Sequence, residues 1–188
     1  AALPAELGEI LRRSAAPSRS GLTRKMRLLL RTIRSQYGMD AAFISQFIGE
    51  VRRFEVVDSS VNLRRLGLVA GASGPLQDSY CYGVAIGAIP ELIRNAQAAP
   101  EVAHLSATSA FSVGAHISVP IRRSNGEVYG TLCAFSHTAD DTLTSRDLTM
   151  FRLCADFLAY DIEQIEAHDL QAQSQRDLIE KVVSRRAF

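Results

Sequence analysis

Three cysteines and four histidines are the residues of this 188-residue chain with the types to carry redox, nucleophilic or metal chemistry. Cys81 lies between Tyr80 and Tyr82, at the start of a segment that reads as a short helix, where a thiolate is favoured. Cys133 lies in "VYGTLCAFS", between Leu132 and Ala134. It admits a redox or nitric-oxide-sensing thiol or a covalent attachment point. It also admits a small buried residue on a two-sided strand, and that reading is favoured because the sequence puts no basic residue or helix start beside it. For Cys81, too, burial beside a pocket wall is the plainer reading. His116 suits a pocket ligand to a haem iron or an acidic effector, or a hydrogen-bonded histidine inside the sheet. His104 and His137 read as loop and strand-end residues. The cysteines show no CxxC spacing and the histidines no i,i+4 or HxH pairing, so no metal site is expected. "GASG" at Gly71 to Gly74 lacks the GxxxxGK pattern, and there is no GxSxG elbow or triad, so no catalytic residues are expected.

The chain is 47% hydrophobic and 22% charged, which suits one globular domain with helical extensions. A net charge of +1 gives no electrostatic case for nucleic acid. The arginines fall in scattered pairs, Arg52-Arg53 and Arg122-Arg123 among them, which read as solvated strand ends. Sparse, odd-numbered cysteines without a signal peptide point to a reducing compartment, the cytoplasm. No apolar run approaches the roughly 18 residues a membrane span requires.

Periodicity supplies the elements that must position these groups. Residues 1–20 read as a loosely held lead-in. Leu22, Met26, Leu29, Ile33 and Tyr37 trace one helical stripe that Gly38 ends. Ala41 to Ile48 reads as a strand apolar on both faces, with Phe43, Ser45 and Phe47 on one side, and Arg53 to Ser59 as its hairpin partner. "LGLVAGASGP" reads as a loop. Tyr80 to Pro100 has two solutions: a helix through "PELIRNAQAA", or a helix near Asp78 to Gly87 followed by a brief strand over Leu92 to Asn95. His116 to His137 reads as a hairpin about the tight-turn pair Asn125-Gly126. "TSRD", Thr144 to Asp147, reads as a capping box in which the threonine oxygen takes an early amide and Asp147 reaches back. The helix it opens carries a heptad seam of Phe151, Ala155, Leu158, Ile162 and Ile165, read as core plus dimer seam, and outruns the domain.

In that order these elements resemble the GAF domain family over residues 22 to 166, with "GAHISVPIRRSNGEVYGTLCAFS" as the core of the match and "DSYCYGVAIGAIPEL" upstream. More narrowly, Ser79-Tyr80-Cys81, the step from Gly87 to Glu91, Val119-Pro120 and Tyr129 to Cys133 resemble GAF domains that precede cyclic-di-GMP phosphodiesterase (EAL) domains. Where those often carry an aspartate after a short third strand, this chain has Asn95. The tail "DLIEKVVSRRAF" looks like the lead-in helix of such a phosphodiesterase.

The resemblance implies an α+β fold: an antiparallel sheet of five or six strands, the first and last helices on one face, and short helices and loops enclosing a pocket on the other. It implies a sensor domain over 21–166 and a helical linker over 167–188 toward an output domain. The candidate pocket lining is Phe43, Ser45, Tyr80, Cys81, Phe111, His116, Ser118, Thr131, Cys133 and Phe135, largely apolar with a few polar groups. The expected partners are a small-molecule ligand of unknown identity, with no cofactor named, and a second copy of the chain through the N- and C-terminal helices. A bilin-binding member would place a cysteine just before the pocket histidine, whereas Ala115 precedes His116 here. Two other classes stand beside this one: a pocketless dimerisation module, and a thiol enzyme of the free methionine-sulfoxide-reductase type, whose cysteine spacing the chain does not share.

Overall fold

The computed structural model describes residues 18–185, with side chains as far as Glu180. Most of the lead-in read over residues 1–20 therefore lies outside the described residues. Helix α1, Arg19–Gln36, starts three residues before the predicted stripe because Ser18 caps it, its hydroxyl accepting from the Gly21 amide at 3.1 Å. Leu22, Met26, Leu29, Leu30 and Ile33 form its buried face.

Strands β1 (Ala41–Ile48) and β2 (Val51–Ser59) follow, then α2 (Val61–Arg65), β3 (Ser73–Pro75), α3 (Tyr80–Ala85), β4 (Leu92–Ile93), α4 (Pro100–Ala103), α5 (Ser106–Ala110), β5 (Ala115–Arg122), β6 (Val128–Ser136) and α6 (Ser145–Arg185). The strands form one six-stranded sheet in the order β3-β2-β1-β6-β5-β4, every neighbouring pair antiparallel. The α+β architecture expected from the sequence is the one observed.

Two cores lie on opposite faces of this sheet. On one, Ala42, Ile44, Ile117, Val119, Leu132 and Ala134 pack under α1 and α6. Each large aliphatic side chain sealed there contributes about 1.5–3 kcal/mol of apolar transfer. On the other, Phe43, Phe54, Cys133 and Phe135 pack under α3 and the loops around it. Strand β2 changes allegiance part-way. A bulge opposite Ile44 and Ser45 leaves Glu55 unpaired, so Phe54 points to one face and Val56 to the other.

Several readings change in three dimensions. "LGLVAGASGP" contains the edge strand β3, whose Ser73 to Pro75 pair with Val51 to Arg53. Of the two solutions for Tyr80 to Pro100, the helix-then-strand one forms. Leu92 and Ile93 pair with Ile117 and His116 of β5, and this pairing overrides the helix propensity of the segment. Asn125-Gly126 is not the centre of a two-residue turn. The Gly126 amide donates to the Arg123 carbonyl, and Gly126 itself takes φ +88° as the left-handed residue of a three-residue loop. At Thr144 the carboxylate of Asp147 accepts from both the threonine amide and its hydroxyl, at 2.7 Å each, so the threonine oxygen is a donor and takes no early amide.

In α6 the stripe Phe151, Ala155, Leu158, Ile162 and Ile165 is buried against the sheet throughout, so it is core and not a dimer seam. A second stripe, Leu153, Phe157 and Tyr160, faces outward at 40%, 41% and 61% exposure. Beyond Ile165 the side chains as far as Glu180 are mostly exposed.

Candidate functional site

Alternation along three neighbouring strands builds the floor of the site. Phe43 and Ser45 on β1, Thr131, Cys133 and Phe135 on β6, and His116 and Ser118 on β5 all face the side away from α1 and α6. Cross-strand pairing sets Phe43 opposite Cys133, Ser45 opposite Thr131, Ser118 opposite Cys133 and His116 opposite Phe135. Gly130 makes the crowded β1–β6 pairing possible, because a Cβ there would meet the Ser45 carbonyl oxygen.

Helix α3 is the roof. Ser79 caps it, accepting from the Tyr82 amide at 3.2 Å while donating to the Leu76 carbonyl at 2.6 Å. Gly83 allows Ile89 to lie directly on the helix. The roof lowers Tyr80 and Cys81 onto the floor. The Thr108 hydroxyl donates to the Val102 carbonyl, so the Tyr80 hydroxyl, 2.6 Å away, donates to Thr108. Phe111 stands at the rim, its ring 6.3 Å from that of Phe135. All ten expected lining residues thus gather on one side of the sheet, and their polar members touch one another directly.

The polar members form a chain. The Ser118 hydroxyl lies 2.9 Å from Cys133 Sγ, which donates to Thr131 Oγ1 at 3.1 Å, and Thr131 lies 2.8 Å from the Ser45 hydroxyl. Cys81 Sγ is 3.9 Å from Cys133 Sγ, and both are free thiols. Cys133 is 0% exposed and Cys81 2%. Burial pushes the Cys133 thiol up. Cys81 is held below the ordinary thiol range, first by its contact with the Cys133 thiol, with Thr131, Ser45 and the charge of Arg52 adding to it. Of the two, Cys81 ionises first. Its acidity comes from these neighbours and not from the six-residue helix that carries it.

His116 is the exception to this satisfied network. It is 2% exposed, its ring centroid is 4.5 Å from that of Tyr80, and among the described residues neither ring nitrogen has a partner. The hydrogen-bonded histidine expected in the sheet is therefore not what forms. Burial pushes its pKa down to about 3, so the ring is neutral. Neutral imidazole with a free donor and a free acceptor costs stability where it stands and is ready to bind a polar group.

Sequence reasoning missed two members of this face. Thr108 carries no signal of its own and is found only through Tyr80. Arg52, read as a solvated strand end, turns inward: its guanidinium carbon lies 3.9 Å from the centre of the Phe54 ring, and its Nε is buried without a partner among the described residues. The parity of Arg52 and Phe54 on one strand was the available clue. Arg123 was misread in the same way. It is partly buried, lies over Tyr129 and pairs with Glu166 through both carboxylate oxygens.

That pairing joins the site to α6. Strands β5 and β6 carry Ser118 and Cys133 on the floor, and at the tip of the same hairpin Arg123 holds Glu166. Next to it, the Ser124 hydroxyl and amide both donate to Glu163 and keep that carboxyl below its usual range. A separate cavity of about 570 Å³ lies outside the cluster, between the end of α3, β4 and α6, with Arg122 and Arg152 on its rim. Among the described residues no group of three or more His, Cys, Asp or Glu could hold a metal ion. No helix among them is long and apolar enough to cross a membrane.

The GAF domain model matches residues 22–162, from the first turn of α1 into the middle of α6. The chain belongs to the GAF domain family. GAF domains are typically small-molecule-binding sensory domains. No curated protein matches the chain. Among solved structures, the phycoerythrobilin-bound GAF domain of a cyanobacterial phytochrome is similar with a TM-score of 0.67 at 18% identity, covering 90% of this chain and 100% of that one. The free methionine-R-sulfoxide reductase of Neisseria meningitidis, solved with its substrate, has a TM-score of 0.65 at 12% identity and covers 87% and 88%. The nlh2 GAF domain of A. aeolicus, in an inactive state, has a TM-score of 0.61 at 17% identity and covers 85% and 92%. At these identities the likeness is one of fold. The bilin-type order of cysteine then histidine is missing from this GAF domain, since Ala115 precedes His116 and both lie on β5.

Proposed function

We propose that this GAF domain is a sensor that binds a small molecule between α3 and the sheet, and does so without catalysis. The observation that carries the reading is His116, a buried neutral ring with two unpartnered nitrogens inside a cluster of hydroxyls and thiols. A protein gains nothing in stability from such a group, whereas a ligand with one donor and one acceptor would satisfy it. Binding would lift or reseat α3 and shift the β5–β6 hairpin, and Arg123 and Ser124 at its tip would pass the shift to α6.

The exposed stripe Leu153, Phe157 and Tyr160, with Leu28 of α1 at 43% exposure, supports pairing of two copies through their N- and C-terminal helices. The continuation of α6 to Arg185, and the likeness of the "SYC", "VP" and "YGTLC" segments to EAL-associated GAF domains, support an output domain acting in cyclic-di-GMP turnover. The sparse, odd-numbered cysteines support a reducing compartment, the cytoplasm.

Native and denaturing mass spectrometry of freshly purified protein, with an absorption spectrum of the same sample, tests this reading. A non-covalent mass carried by the wild type and lost in a folded Ser118→Phe variant supports it. A bare apoprotein mass, with signalling in the full-length protein unchanged by Ser118→Phe, overturns it in favour of a dimerisation module without a pocket. The direct contact among the cluster residues is the feature that favours this second reading.

A further inference from the structure

Cys81 and Cys133 are 52 residues apart in sequence, yet the fold presses their sulfurs to 3.9 Å, ordinary van der Waals contact, with nothing between them. A sensor pocket does not require two thiols in contact, and other small residues would fill the same space. The groups around them are those a thiol oxidation uses. Ser118 and Thr131 hold Cys133 from two sides, Ser45 continues that hydroxyl chain, and the Arg52 guanidinium, stacked on Phe54, supplies positive charge toward Cys81. Cys154 is a built-in control, a residue of α6 buried in the opposite core, on the far side of the sheet from both.

We propose that Cys81 and Cys133 are a redox modification site, a dithiol that a hydroperoxide converts reversibly to an intrachain disulfide joining α3 to β6. The Cys81 thiolate attacks the peroxide oxygen, the O–O bond breaks, and hydroxide leaves to take up the proton Cys81 gave. Cys81 is then a sulfenic acid. The Cys133 sulfur attacks it, the S–S bond forms as the S–O bond breaks, and the departing hydroxide leaves as water with the Cys133 proton. Two thiols are oxidised by two electrons, and hydrogen peroxide is reduced to two waters. Thiol exchange with a small dithiol or with glutathione restores the pair.

Both sulfurs are buried, so oxidation waits on opening of α3, a single short helix. Closing the disulfide then fixes the roof of the site to its floor, on the same strand pair whose tip holds α6. Forming the disulfide needs no ligand, only the contact of the two sulfurs, so this proposal is tested separately from the sensor reading.

The test uses the reduced chain treated with hydrogen peroxide under native conditions, then unfolded in N-ethylmaleimide and mapped by mass spectrometry without reduction. The expected product has the Cys81 and Cys133 peptides linked with the loss of two hydrogens, one N-ethylmaleimide adduct on Cys154, and full reversal of the link by dithiothreitol. In Cys133→Ser the expected product is Cys81 carrying added oxygen, with no link. Cys154→Ser should behave as the wild type. The proposal is overturned if both thiols remain alkylatable at peroxide levels that oxidise methionine. A link through Cys154 overturns it as well, as does a link that appears only after unfolding. Wild-type mapping decides the matter even if a cysteine variant fails to fold.

Discussion

Leu132 and Cys133 are neighbours on β6, both fully buried, and they face different chemistry. Leu132 enters a core that is almost wholly apolar, sealed by α1 and α6. Cys133 enters one in which two hydroxyls and a second thiol lie within hydrogen-bonding reach and an unpaired histidine stands a strand away. The first face is arranged for stability. The second retains polar groups that stability alone would replace, and such groups mark binding and chemistry in a fold. One strand serves both because its side chains alternate, so any movement of the site face is felt by the face that holds the helices.

The largest expected effect is on the helix face. Leu132→Ala should cost about 2–5 kcal/mol in urea or thermal unfolding, since it opens a cavity in a core with no solvent access. By contrast His116→Leu, on the site face, should leave stability at neutral pH unchanged or raised, because it removes unsatisfied polar atoms without changing the packing much. If His116→Leu costs as much as Leu132→Ala, the two faces are not different in kind.

Next comes acid sensitivity. His116 in the folded chain titrates at about 3 against 6.5 in a free side chain. Below about pH 6.5 the unfolded chain therefore binds a proton that the folded chain refuses, and stability falls at up to about 1.4 kcal/mol per pH unit. The loss should begin near that pH and end only as the folded ring titrates. Unfolding followed across this range should show about 2 kcal/mol lost by about pH 5, and the slope should flatten in His116→Leu. An unchanged slope would place the acid sensitivity elsewhere.

The smallest effect concerns the link between the two faces. A double-mutant cycle on Arg123 and Glu166 should give a coupling of about 0.5–1 kcal/mol, as for a partly exposed bidentate pair. On the proposed sensor reading, the same substitutions should weaken the response of α6 to ligand far more than they weaken folding. Equal effects on both would reduce the hairpin tip to a structural brace.

Much of this was legible from local pattern. The stripe from Leu22, the two-sided strand Ala41 to Ile48, and the long hairpin were readable because their apolar periods match the geometry of helix and strand. Seven of the ten expected lining residues could be placed on one face of the sheet because parity along β1, β5 and β6 sets which way side chains point, whereas Tyr80, Cys81 and Phe111 lie off those strands. Short elements were not legible. Strands β3 and β4 have three and two residues and exist only because longer strands pair with them. The apolar stripe of α6 gave its period correctly, but not whether a sheet or a second helix would cover it.

What the sequence determined by itself was the long elements, the two apolar faces of the central strands and the resemblance to the GAF domain family, all of which rest on local spacing and motif. Tertiary structure alone decided that Cys81 meets Cys133, that Arg52 turns inward onto Phe54, that His116 is left without a partner among the described residues, and that Arg123 grips Glu166. Each of these depends on which side chains from distant segments share a volume. That depends on register, bulge and helix placement, and no single segment encodes those.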